Sequence, residues 1–168
     1  ACMPASGLYT ESFMPSRLFW RIIILPLGLS FLLTALPAQE SEALCVQAKR
    51  ANLRKGPGVK FEKTWEVLKY MPFRKIGQKG AWYRIKDVDG DVYWAHRKLF
   101  TTRYKCAVIK QNKTNVRTGP GSKHKTVRWS PVDKYFSMKV LKIKKNWVHI
   151  VDAAGDKAWI YRPLLWIQ

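Results

Sequence analysis

Two short patterns carry most of the chemistry that this 168-residue sequence offers. Trp82-Tyr83-Arg84-Ile85 and Trp147-Val148-His149-Ile150 each set an indole and a nitrogen base two residues apart. In a β-strand, residues two apart share a face. Trp82 with Arg84, and Trp147 with His149, would then make flat ring surfaces beside a guanidinium or an imidazole. Such a platform suits an extended anionic ligand, through ring contacts and charge-assisted hydrogen bonds. It equally suits rim cover for a core too small to close by itself, since a domain of about 60 residues buries only ~60% of its surface. Arg54 and Arg117 each stand two residues before a Gly-Pro-Gly. A guanidinium there can fork onto a carboxylate, or hold the turn through loop carbonyls. Tyr70 and Tyr135 complete the ligand-binding candidates. Asn52 and Asn115 suit bonds to their own backbone.

Support for catalysis is thin. His96 and His124 lack a histidine at the matching place, where Tyr161 and Phe61 stand. No Cys–His–acid arrangement survives if the cysteines are oxidised. No Gly-rich loop precedes a helix, so a phosphate cradle is not expected. Asp87-Val88-Asp89-Gly90-Asp91 lacks the ligand order and the twelfth-position Glu of a calcium loop, and reads as a hairpin turn. No catalytic residue, metal site or cofactor is expected.

Charge is the other strong signal. Lys and Arg number 31 against 11 Asp and Glu, a formal net charge of +20. The cations are spread along the chain, as in Lys49-Arg50, Arg74-Lys75, Arg97-Lys98, Lys123-His124-Lys125 and Lys144-Lys145. Such a surface attracts polyanions without sequence choice, or serves solubility alone.

The first forty residues read differently. Arg17 and Arg21 precede an apolar run from Ile22, and Ala35-Leu36-Pro37-Ala38 closes it. A basic start, an apolar centre and a small-residue end predict a secretory signal peptide over 1–38. Cleavage after Ala38 is expected, with Ala43 as the second option and Met14 as a candidate true start. The uncharged run of 18 residues from 22 to 39 lies at the lower edge of a spanning length. An uncleaved anchor is therefore the alternative, and membrane contact is expected only then. Export argues against nucleic acid as a specific partner. It places the chain in an oxidising compartment, where paired thiols form disulfides. Cys45 and Cys106 are the expected pair, with two free thiols as the alternative.

The sequence also repeats. Asn52-Leu53-Arg54-Lys55-Gly56-Pro57-Gly58 returns as Asn115-Val116-Arg117-Thr118-Gly119-Pro120-Gly121. The stretch from Trp82 to Trp94 returns from Trp147 to Trp159 in the same order. Residues 44–100 and 106–166 thus form two units, joined by Thr101-Thr102-Arg103-Tyr104-Lys105. Alternating strands, an acidic-Gly hairpin turn and a Gly-Pro-Gly that neither helix nor central strand tolerates predict an all-β chain. Two tandem small barrels behind the leader are the expected architecture.

The order Asn-(Leu/Val)-Arg-x-Gly-Pro-Gly, a central Trp, an acidic-Gly hairpin, a second Trp and a closing Leu resembles the bacterial SH3 domain family. The likeness covers nearly all of 44–166. Where that family usually has Gly before the second Trp, Tyr93 and Ala158 stand here. The resemblance implies SH3-like barrels and a non-enzymatic binding module that attaches to cell-wall peptide (peptidoglycan) or another anionic envelope polymer. The expected location is periplasmic or extracellular. The alternative is an adaptor for another envelope protein, with a groove between the units lined by Trp65, Tyr70, Trp82 and Trp129. A wall-modifying enzyme is a third option.

Overall fold

Period-two alternation governs both halves of the chain in the computed structural model, which describes residues 41–168. The leader expected at 1–38, its cleavage and the start at Met14 lie outside the described residues. The first barrel contains β1 (Glu42–Val46), β2 (Arg50–Arg54), β3 (Lys63–Leu68), β4 (Pro72–Lys79), β5 (Trp82–Lys86), β6 (Val92–His96) and β7 (Phe100–Thr101). Their order across the sheet is β3-β2-β6-β5-β4-β1-β7. The second contains β8 (Cys106–Ile109), β9 (Ser137–Lys144), β10 (Trp147–Val151), β11 (Lys157–Tyr161) and β12 (Leu165–Ile167), ordered β11-β10-β9-β8-β12. The counterparts of β2 and β3 shrink there to isolated bridges, Thr114 to Val132 and Arg117 to Thr126. Single 3-10 turns, Arg97–Leu99 and Arg162–Leu164, lead into the closing strands.

The inward residues are those the alternation selects. Ile85 is buried and Tyr83 packs against the first core with Leu44, Leu53 and Phe73. Val148 and Ile150 are buried in the second core with Ile109, Val116 and Met138. The acidic-Gly segments form the expected hairpin turns. Asp87 Oδ1 accepts from the backbone N–H groups of Asp89 and Asp91. Asp152 Oδ1 accepts from those of Ala154, Gly155 and Asp156. Gly90 and Gly155 take the positive φ that these turns require.

The barrels meet where β8 feeds both cores and the back of β1 meets it. On β1, Leu44 and Val46 enter the first core, so Cys45 points the other way. On β8, Ala107 and Ile109 enter the second core, so Cys106 and Val108 face back. Val108 packs into the first core, and Cys45 and Cys106 form a disulfide with Cα atoms 5.9 Å apart. Trp166, across the ladder from Val108, also packs against the first core. Arg74 lies over its ring at 5.9 Å and donates from Nε to Gln168 Oε1 at 3.2 Å. Ser137 Oγ donates to the Lys69 carbonyl at 2.9 Å. At the other end of the seam, the Asp89 carboxylate accepts from Lys134 Nζ at 2.6 Å and from the Tyr135 hydroxyl.

Two outcomes follow from this seam. The bridge closes a sequence separation of 61 residues, and the loss of such a loop from the unfolded state is worth roughly 4 kcal/mol. Cys45→Ala with Cys106→Ala should lower the unfolding free energy by about 2–5 kcal/mol, read by urea denaturation. The hydrogen bonds from Lys134 and then Tyr135 hold the Asp89 carboxyl below its ordinary 3.8. Its folded value is depressed, so its contribution is complete above pH 3.8 and drains away as the pH falls further. Asp89→Asn should be less stable than the parent near neutrality, and that gap should narrow in acid. A gap that stays constant with pH, followed by thermal melting, would contradict this.

Candidate functional site

On β10, Trp147 and His149 alternate with the buried Val148 and Ile150, so they stand together on the outer face. Strand register then builds rows across the sheet. Trp147 lies between Lys144 and Tyr161, and His149 between Lys142 and Trp159. The Trp147 and Tyr161 rings sit 5.6 Å apart, tilted by 54°. The His149 imidazole stacks on Trp159 at 4.7 Å and 16°. Lys142 Nζ is 5.6 Å from the Trp159 ring. Burial, then Lys142 and Lys157, push His149 below its ordinary value, so it is a neutral imidazole near pH 7. Beside this row, Lys113, Asn115, Arg117, Ser122, Trp147 and Tyr161 line a cleft of about 580 Å³.

The first barrel repeats the plan with different side chains. Register sets Trp82 between Lys79 and His96, and Arg84 between Gly77 and Trp94. The His96 ring stands edge-on to Trp82 at 5.6 Å. Its Nδ1 also accepts from the Lys98 backbone N–H, which caps the 3-10 turn.

Of the two roles open to the arginines, the geometry shows the turn-holding one. Arg54 Nη1 donates to the Phe61 carbonyl at 2.7 Å, and Arg117 Nη1 to the His124 carbonyl at 2.7 Å. These bonds fold the Gly-Pro-Gly loop back on itself. The Phe61 ring lies on Gly56 and the His124 ring on Gly119, closer than 3.0 Å to where a Cβ would stand. Backbone pairing places Arg117 against Trp159 and Arg54 against Trp94, so the loop abuts the aromatic rows.

The remaining candidates lie elsewhere. Tyr135 is in the seam, its ring 5.1 Å from Trp65. Tyr70 packs edge-on against Tyr104 of the linker at 5.6 Å. Both take a φ of +70°. The groove expected from Trp65, Tyr70, Trp82 and Trp129 is not assembled. Trp129 stacks on Phe136 at 5.5 Å against the second core, while Trp82 belongs to the outer face. Trp65 instead lines a separate cleft with Met71, Tyr135 and Phe136. Asn52 and Asn115 are exposed, and neither side chain makes a hydrogen bond among the described residues. Sequence reading missed Tyr161, Trp94, Trp159, Lys142 and Lys144 as members of the face. The matched tryptophans at 94 and 159 were a usable signal, but only the register shows which side they take.

Five ion pairs join described residues, and none involves Lys79, Arg84, Lys142, Lys144, Arg54 or Arg117. Among the described residues, no three His, Cys, Asp or Glu side chains gather to hold a metal ion. No helix there is long and apolar enough to cross a membrane.

Gly119→Ala should force the His124 ring off the loop and open the wall of the cleft. The expected loss is about 1–3 kcal/mol of stability by chemical denaturation, and an unchanged midpoint would refute the packing argument.

The sequence profile of the bacterial SH3 domain matches residues 47–100 and 110–166. No curated protein matches the chain. Among solved structures, NlpC2 from Trichomonas vaginalis is 10% identical with a TM-score of 0.34, over 76% of this chain and 48% of that one. NlpC1 from the same organism is 13% identical with a TM-score of 0.34, over 82% and 50%. An NlpC/P60 family protein from Bacillus cereus ATCC 10987 is 12% identical with a TM-score of 0.36, over 76% and 56%. The chain thus spans about half the length of these solved chains.

Proposed function

The chain belongs to the bacterial SH3 domain family, and we propose that it is a non-enzymatic exported module that binds peptidoglycan or another anionic envelope polymer. The observation that carries this reading is the outer face, where rings alternate in register in both barrels with cations that make no ion pair among the described residues. In the second barrel, Trp147 and Tyr161 offer apolar ring surface to a sugar or peptide chain. Lys142, Lys144 and Lys113 supply charge for its carboxylates. In the first barrel, Trp82 and His96 replace the ring pair, with Arg84 and Lys79 as the cations. Weak single sites gain avidity when one polymer spans both.

The disulfide supports export, because an oxidising compartment keeps it intact. It also removes Cys45 and Cys106 as thiolate nucleophiles. The neutral His149 lies stacked on a ring rather than aimed at a nucleophile. These features favour binding over catalysis.

Pelleting the protein with purified sacculi tests the proposal. Binding is expected at low salt and should fall as salt screens the charge. Trp147→Ala with Trp82→Ala should weaken it by about tenfold or more, as truncated aromatic anchors do. Protein left wholly in the supernatant, or binding indifferent to both substitutions, would reject it. Retention on envelope protein instead would favour the adaptor.

A further inference from the structure

The second barrel has another concave surface, apart from the aromatic rows. Lys105, Lys110 and Arg162 line a cleft of about 570 Å³, over Ile143, Leu165 and Ile167. No acidic residue lines it, and none of the three cations is in an ion pair among the described residues. Ile143 is 42% exposed next to the end of β9, and Lys144 and Lys145 follow it. An aliphatic side chain held in water beside unneutralised cations is not required by the barrel.

The duplication supplies the control. Lys110 N–H donates to the Leu164 carbonyl as Gln47 N–H donates to that of Leu99, and Arg162 N–H to Asn146 as Arg97 N–H to Ala81. The two cleft regions therefore superpose by position. The first barrel carries Glu42, Gln47, Gln78 and Thr102 where the second has Lys105, Lys110, Ile143 and Ile167. Glu42 there is paired with Lys75. The same backbone thus stands with neutral or acidic polar groups at these positions. At these four positions the second barrel turns cationic or aliphatic, Arg162 matches Arg97, and Asn146 and Pro163 stand where the first barrel has Ala81 and Lys98.

We propose that this cleft binds an anionic phospholipid, its phosphate among Lys105, Lys110 and Arg162 and the start of its acyl chain on Ile143 and Ile167. Charge alone would fit any polyanion. A polyphosphate strand gives Ile143 and the outer part of Ile167 nothing apolar to cover them, and a sugar offers only small C–H faces, whereas a lipid acyl chain satisfies both halves of the surface at once. The site goes beyond the polymer-binding face and uses none of its residues. It would hold the protein to an anionic leaflet while the aromatic rows remain open.

The test is a nuclear magnetic resonance titration of the isotope-labelled full chain. The probes are short-chain phosphatidylglycerol below its micelle concentration, phosphatidylcholine of the same chain length, and inorganic phosphate. Phosphatidylglycerol should shift the amides of Lys105, Lys110, Ile143 and Arg162, with little response to the other two probes. Lys110→Gln with Ile143→Gln should weaken that response by about tenfold or more, since one charge and one aliphatic contact are removed. Glutamine already occupies both matching positions in the first barrel, at Gln47 and Gln78, so the variant should fold. Sacculus binding by this variant should be unchanged, which separates failure here from failure of the polymer reading. Equal shifts with inorganic phosphate would overturn the proposal by showing an anion site only. Equal shifts with phosphatidylcholine, or shifts centred on Trp147 and Tyr161, would overturn it as well.

Discussion

Strand β8 faces two interiors, with β1 tied to its back by the disulfide, and the rest of the structure depends on that arrangement. A barrel of this size cannot bury enough apolar surface to be secure by itself. Here the second barrel lends the first a wall. Val108 and Trp166 of the second barrel complete the first core, while Cys45 and Cys106 tie the backs of the two strands together. The seam therefore supplies part of the core that the first unit lacks. Its polar contacts, from Asp89 to Lys134 and Tyr135, add direction rather than much energy, since exposed pairs contribute little.

Filling each core from one side of its strands leaves the other side free. With Ile85, Val148 and Ile150 filling the cores, the opposite faces of β5 and β10 have no packing duty. Rings and cations can accumulate there without loss of fold. The Asn-x-Arg-x-Gly-Pro-Gly loop is part of the scaffold. Its arginine ties the loop to a carbonyl seven residues on, and its first glycine lets a ring lie flat on the backbone. That rigid loop then forms one wall of the cleft beside Trp147.

Duplication separates what the frame requires from what each copy has acquired. Both copies keep the arginine-to-carbonyl bond, the aspartate-held hairpin and the left-handed tyrosine. They differ at the rims. His96 faces Trp82 where Tyr161 faces Trp147, and Arg84 stands where His149 stacks on Trp159. The tyrosines show the same divergence at the seam. Tyr135 meets Asp89 and Trp65 of the first barrel, while Tyr70 meets the linker.

Much of this was legible in the chain itself. The repeat, the all-β character, the hairpin turns and the inward set at 83, 85, 148 and 150 rest on spacing and turn chemistry, which are local. The Cys45–Cys106 pairing followed from compartment and count. Arg54 and Arg117 stayed ambiguous, because a guanidinium beside a loop serves a carbonyl or a carboxylate equally well until the loop's path is known. The groove imagined among four aromatics did not form, because aromatic content says nothing about which barrel wall a ring joins. Tyr161, Trp159 and Lys142 joined the outer face through ladder register, and register is set between strands distant in sequence. The amino-acid order alone thus determined the units and their inward faces, since alternation and glycine placement act over a few residues. Tertiary structure alone decided the neighbours across strands and across the seam, since those contacts depend on how separate segments align in space.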